Sequence, residues 1–467
     1  MFNYKKLISD IRFWLLLFFF LRLLTITLPP LEVSHNWRQT TVTMVARNFL
    51  EEDADILYPR IDFAGEKPGI TGMEFPLLNY FVYLFSLVFG YAHWYGRLIN
   101  LVISTIGLWY FYKLTRMFFG EKHAFYSAFL LLLSVWLTYS RKIMPDTFSM
   151  AFVCIGFYHV CNYLRGERGI FSLLLFLVFA LAGVLSKLPS GYCLVFLIPL
   201  FIDKSALPTR KVLVSLMCVF ILVLSGTYYF YWVPYLKTTF GVDHFFMGKS
   251  LSDGFTEIIT HAGQALQKFY EAAFGYSGFI LFIFGIIIAV VKKQKTILVV
   301  LILGLSSFLV IIFKGGFAFY HHTYYIIPFV PVMAICAAFT LTNIKQKAVL
   351  ISVLCIFSLE SIFSNFADFH INPEFESVAS LESILDKYYK KTDLVLINSG
   401  NVPTPLYFTH RKGWIEYNER LSDKPYIESL KEKGLRCIVV TKNVFGKNID
   451  LNYTIIYEDK DFKIYSL

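Results

Sequence analysis

Two carboxylates stand directly before apolar runs: Glu74 in "MEFPLLNY" and Asp146 in "RKIMPDTFSM". A carboxylate at the start of a helix has two readings. It caps the unpaired N–H groups of the first turn, or it takes a proton as a general base. Cations stand in comparable places. Arg38 lies in "SHNWRQTTVTMVARNFLEE" beside His35, Lys187 lies in "LSKLPSGY", and Arg141 and Lys142 share the turn that holds Asp146. His321, His322, Tyr324 and Tyr325 open the run "YHHTYYIIPFVPVMA". Cations next to carboxylates suit a reaction in which a phosphate gains charge while a hydroxyl loses a proton. Each residue also has a plain structural role. Lys187 at the end of an apolar run can snorkel to the interface, and the tyrosines fit an aromatic belt. Val42, Val45, Ala46, Phe49 and Leu50 recur at helical spacing. That predicts an amphipathic helix lying on the membrane, with its arginines on lipid head groups.

The elements around these residues are built for lipid. Of 467 residues, 56% are hydrophobic and only 16% are charged, which excludes an ordinary soluble domain. The net charge of +10 gathers in short Lys/Arg clusters between apolar runs, so it reads as membrane topology and not as nucleic-acid binding. The runs predict a polytopic α-helical membrane protein with about eleven transmembrane helices. Their positions are roughly 12–28, 97–113, 123–140, 146–163, 169–186, 190–203, 211–233, 276–291, 296–313, 324–342 and 348–365. The run leading into "PPLEVSHNW" has no small-residue cleavage site, so the first helix is expected to be retained. Six of the seven cysteines fall in or beside apolar runs, and neither a disulfide framework nor a zinc spacing emerges.

The run 75–90 is apolar enough to cross. If it does not, the clusters "KLTRMFFGEK", "RGERG", "DKSALPTRK", "KKQK" and "NIKQK" all fall on the side of the N-terminal "MFNYKKLISDIR". The positive-inside rule makes that side the cytoplasm. The run 75–90 is therefore expected on the outer face. His35, Arg38, Glu74, Asp146, Lys187, His321 and His322 then share one side of the membrane. The expected organisation is a transmembrane domain over 1–368, whose first outer loop spans 30–96, followed by a small extracytoplasmic α/β domain over 369–467. Strand-like runs at 393–399, 436–440, 453–458 and 462–467, with helical stretches near 374–389 and 424–434, carry the last assignment. That domain serves either as a substrate-reading cap or as a stabilising appendage.

In order along the chain, "EFPLLNYFVYLFSLVFG" followed by Arg97, "FYKLTRMFFGEKHAFYSAFLLLLSVWLTYSRKIMPD", "LSKLPSGY" and "YHHTYYIIPFVPVMA" resemble the membrane glycosyltransferases of the protein O-mannosyltransferase and aminoarabinose-transferase type. The resemblance covers about residues 10–365. It implies the GT-C fold, with juxtamembrane helices in the first outer loop. It also implies transfer of a sugar from a polyprenyl-phosphate donor to a lipid, glycan or protein acceptor on the extracytoplasmic side, usually with inversion. Glu74 matches the family's carboxylate before a proline and an apolar helix, and Asp146 matches the acid at the top of a later span. Lys187 and the His322–Tyr325 segment match positions lining the donor site. The chain departs from the pattern at Arg38 and Gln39, where the family's first loop carries acids. Either the base role passes to Glu74, Asp62 or Asp146, or the chemistry differs; Arg38 with its planar fork suits a phosphate.

A bacterial inner membrane fits the short loops. No cofactor is assignable. A divalent ion could share the neutralising role, but no ligand spacing names one. Two other functions compete: a transporter or flippase of lipid-linked sugars, and a non-catalytic envelope assembly protein. The first would favour internal repeats and polar residues at mid-membrane. Neither is evident, since acids concentrate at the ends of the runs.

Overall fold

The computed structural model describes residues 7–467. It divides into two compact units. One comprises the chain through Ile26, Arg97–Phe230 and Phe246–Ala367; the other comprises Thr27–Gly96, Tyr231–Phe245 and Asp368–Leu467.

The first unit is helical, and its helices correct the expected count of eleven spans. Among the described residues, five helices can cross a membrane by length and composition: Tyr95–Phe119, Pro145–Arg165, Pro208–Phe240, Lys295–Gly315 and Lys347–Phe366. A sixth span results if Ala262–Ala273 and Gly275–Val291, bent by 101°, count together. The protein is thus an integral membrane protein with several apolar transmembrane helices. The remaining expected spans are apolar, but they are not long unbroken helices. Ile11–Leu23 has 13 residues, Glu121–Leu132 has 12 and Val330–Asn343 has 14. At about 1.5 Å per residue each rises only ~20 Å, against ~30 Å of hydrocarbon. Around Lys187 the helix Ile170–Ser186 gives way to a 3₁₀ run, Leu188–Leu197, started by Pro189. Apolar composition is visible in a sequence window; these breaks are not.

Burial sorts the long helices. Pro145–Arg165 is buried almost throughout, whereas Lys347–Phe366 exposes Ile351, Ile356, Leu359 and Phe363. Exposed apolar side chains on such a helix face lipid. Pro145–Arg165 packs closely on Ile170–Ser186. A Cβ on Gly183 would lie 2.8 Å from the Ser149 carbonyl oxygen, and one on Gly156 would lie 3.0 Å from the Ala180 nitrogen. Small residues at a membrane helix crossing let the backbones approach in this way.

In the second unit the first loop and the C-terminal segment share one core. Met44, Val45, Phe49, Ile61 and Met73 pack with Leu381, Leu385, Val395, Ile397, Leu406, Tyr407 and Ile464. The sheet has five strands: β1 (Leu394–Ile397), β2 (Gly413–Ile415), β3 (Leu435–Thr441), β4 (Thr454–Glu458) and β5 (Phe462–Ser466). Their order is β2-β1-β3-β5-β4. β1 pairs parallel with β2 and β3, while β5 runs antiparallel between β3 and β4. Four of these strands lie in the apolar runs expected to form them. β2 is three residues long, too short for an alternating pattern to show.

Candidate functional site

In the first unit, three elements bring Asp146, Lys187 and a pair of tyrosines together. Asp146 is the second residue of Pro145–Arg165, after Pro145. Proline there fixes φ and sacrifices no needed N–H, and the helix N-terminus favours the carboxylate. Asn100, buried in the helix Tyr95–Phe119, holds the preceding turn. Its Nδ2 donates to the carbonyls of Tyr139, Lys142 and Met144 at 2.9, 2.8 and 3.2 Å. Lys187 caps the end of Ile170–Ser186, and the close crossing at Gly183 delivers it to the acid. Its Nζ lies 3.3 Å from Asp146 Oδ1, with the two side chains 11% and 4% exposed. The ammonium also sits 5.1 Å from the Tyr324 ring centroid and 5.9 Å from that of Tyr325, within cation–π range. Tyr324 and Tyr325 stack at 5.0 Å. His322 stacks on Tyr324 and His321 on Phe317, so the histidine pair extends an aromatic row.

In the second unit, Arg38 lies in the first turn of Asn36–Glu51 and its Nη2 pairs with Glu74 Oε1. Glu74 precedes Pro76 and the helix Leu77–Phe89. Asn79 on that helix donates to the Val42 carbonyl at 2.8 Å, which fixes one helix against the other. His35 enters the first helix in the left-handed region, φ 64°. The helix itself differs from the surface-lying one that the spacing predicts. It is buried from Gln39 to Phe49, hydroxyls included. Thr40, Thr41 and Thr43 return their hydroxyls to carbonyls four residues back at 2.9, 2.8 and 2.7 Å. That satisfies polar groups which burial would otherwise strand.

Asp62 is fully engaged. Arg47 Nη2 donates to its Oδ2 at 2.6 Å and Asn48 Nδ2 to its Oδ1 at 2.8 Å, and the Asp62 and Arg47 side chains are 3% and 4% exposed. Arg47 also donates to the Tyr407 carbonyl at 3.1 Å and lies 4.7 Å from the centre of its ring. This network joins the first loop to the C-terminal segment. Asp62→Asn is expected to destabilise the protein by about 3–5 kcal/mol, because it strands a buried guanidinium; thermal unfolding of the purified protein checks it.

Two residues escaped the sequence reading. Glu32 is 2% exposed and accepts Gln39 Nε2 at 3.0 Å on Oε2. It is the acid that "PPLEVSHNWRQ" does contain, seven residues before Gln39, where the family's acids were sought. His244 left no signal, since it is remote in sequence. Burial first, then the Arg38 cation, pull its imidazole down to about 4, while Glu74 and Asp243 act the other way. His244 is therefore neutral near pH 7 and can donate or accept one hydrogen bond. Between about pH 4 and 6.5 the unfolded chain binds a proton that the folded imidazole refuses, so stability rises with pH through that window. The expected result is a melting temperature that climbs from pH 4.5 to 7 and climbs less in His244→Asn. Among the described residues, no three His, Cys, Asp or Glu side chains gather as a metal site.

Residues 67–230 match the family described as dolichyl-phosphate-mannose-protein mannosyltransferase. No curated protein matches the chain by sequence. Among solved structures, the chain is similar to ArnT from Cupriavidus metallidurans bound to undecaprenyl phosphate, with a TM-score of 0.60 and 11% identity over 97% of this chain and 98% of that one. The apo state of the same protein gives 0.57 and 12%, with 97% of each chain covered. An oligosaccharyltransferase from Archaeoglobus fulgidus, in complex with zinc and sulfate, gives 0.57 and 13% over 86% of this chain and 64% of that one. The chain thus spans less than two thirds of the archaeal protein. These likenesses show the fold alone: the chain has the GT-C architecture, similar to that of ArnT.

Proposed function

We propose that this protein transfers a sugar from a polyprenyl-phosphate donor to a lipid, glycan or protein acceptor at the extracytoplasmic face, with inversion. One observation carries the reading. In the first unit an apolar cavity of about 320 Å³, walled by residues such as Phe111, Phe157, Val299 and Val332, shares Met150 with the pocket of Asp146 and Lys187. A greasy chamber next to a carboxylate–ammonium pair suits an isoprenoid chain with a phosphate head. ArnT, of the same fold, is described bound to such a lipid.

An acceptor hydroxyl attacks the anomeric carbon, the bond from that carbon to the phosphate oxygen breaks, and polyprenyl phosphate departs with the electron pair. A carboxylate takes the acceptor proton; Glu74 is the first choice and Asp146 the second. Asp62, whose oxygens both accept hydrogen bonds, is the last candidate. Lys187 in the first unit or Arg38 in the second is the candidate to neutralise the leaving phosphate, with His321, His322 and Tyr325, or His35, as the further candidates in the same unit. A cytoplasmic N-terminus, an extracytoplasmic 369–467 domain and a bacterial inner membrane belong to the same proposal, which the basic clusters support.

The test uses purified protein in proteoliposomes, with undecaprenyl phosphate carrying mannose or aminoarabinose. Glycosylated acceptor and free undecaprenyl phosphate should appear together. Movement of intact donor between leaflets without cleavage would instead make the protein a flippase.

A further inference from the structure

The pocket beside Asp146 contains two buried polar atoms that none of the described residues satisfies. Asp146 Oδ2 and Ser190 Oγ have no hydrogen-bond partner, in residues 4% and 1% exposed. Both residues line the same space, with Ser149, Lys187, Tyr324 and Tyr325. Its neighbours are otherwise occupied: Ser149 Oγ donates to the Gly183 carbonyl at 2.9 Å, and Asp146 Oδ1 holds Lys187. The 3₁₀ geometry explains how Ser190 arrives there. Side chains three residues apart eclipse in such a helix, and the Ser190 N–H donates to the Lys187 carbonyl at 2.9 Å. Ser190 therefore follows Lys187 onto the acid.

The space measures about 10 Å³, which is room for one oxygen atom with its hydrogen. An ionised carboxylate oxygen requires a donor, and a serine hydroxyl can serve as donor or acceptor. A hydroxyl group meets both demands: it donates to Asp146 Oδ2 and accepts from Ser190 Oγ. Tyr324 and Tyr325, stacked on one another, wall the same space.

We propose that this pocket reads one hydroxyl of the transferred sugar and that Ser190 is a specificity-determining residue for it. The inference rests on the glycosyl-transfer reading and names the group on the substrate that the site selects. Buried polar atoms left unpaired discriminate strongly against an analogue lacking the matching group.

The experiment gives undecaprenyl phosphate carrying mannose, glucose or aminoarabinose, each with its monodeoxy analogues, to the wild type and to Ser190→Ala in proteoliposomes. For the preferred sugar, one deoxy analogue should be used at least ~10-fold less well than its parent by the wild type. Ser190→Ala should lower kcat/KM for the parent by a comparable factor and leave that one analogue unchanged, a coupling that loss of packing alone does not produce. Equal losses on parent and every analogue, or none, would assign the pocket to a structural water and overturn the proposal. Thermal shifts with the same lipids repeat the cycle on binding alone. Absence of transfer by the wild type defeats the glycosyltransferase reading, whereas the coupling in binding still decides the role of Ser190.

Discussion

Glu74→Gln is expected to slow sugar transfer by ~10²–10⁴-fold, the usual span of general-base assistance, while the protein still binds undecaprenyl phosphate. The substitution keeps the side chain's shape and removes its charge. It also strips Arg38 of its counter-ion in a poorly solvated place, since the two side chains are 13% and 8% exposed. Part of the effect could thus arise from a misplaced guanidinium. Arg38→Gln separates the two: it should weaken binding of the lipid phosphate without a comparable fall in kcat, because it removes a phosphate contact and leaves the base. The double variant should recover stability relative to Glu74→Gln, as removing both partners leaves no stranded charge. If folded Glu74→Gln enzyme works within a few-fold of wild type, the base lies elsewhere. Asp146, the second choice, then takes the role, and Glu32, buried on Gln39, is a further carboxylate to replace.

Asp146→Asn is the second large effect expected, ~10²–10³-fold in kcat, the loss seen when one preorganised polar group is removed from a dry site. The substitution also leaves the Lys187 ammonium without its counter-ion in a buried place, so a loss of about 3–5 kcal/mol of stability is expected as well, and kcat is compared on folded protein. Asparagine also removes the partner of Lys187 at 3.3 Å, so the ammonium is freed to hold phosphate more tightly. A lower KM together with a lower kcat is therefore the expected signature. A mere cap would yield wild-type turnover in Asp146→Asn.

The sequence reading and the structure part company where chain geometry, not composition, decides. The pairing of Lys187 with Asp146 was not readable from either motif. It depends on the crossing at Gly156 and Gly183 and on the 3₁₀ run that follows Lys187. Asn100 resembles any polar residue in a membrane helix until its three carbonyl partners from one turn are seen. Arg47 was expected on lipid head groups and Asp62 was a candidate base, fifteen residues apart; they pair in a network that the C-terminal segment, more than three hundred residues away, completes through Tyr407. The helix Asn36–Glu51 was expected on lipid for the same reason, because nothing local indicates that the sheet domain's core closes over it.

The membrane setting, the mixed helix-and-strand C-terminal segment and the likeness to GT-C transferases were legible along the chain without the fold. Those properties follow from composition, from period and from motifs read in order, all of which are local along the chain. Tertiary structure alone decided how many apolar runs become long helices, since helix length depends on where packing and prolines interrupt the hydrogen-bond ladder. It also decided which carboxylate meets which cation. Ion pairing acts over a few ångströms, and those distances are set by helix crossings and shared cores.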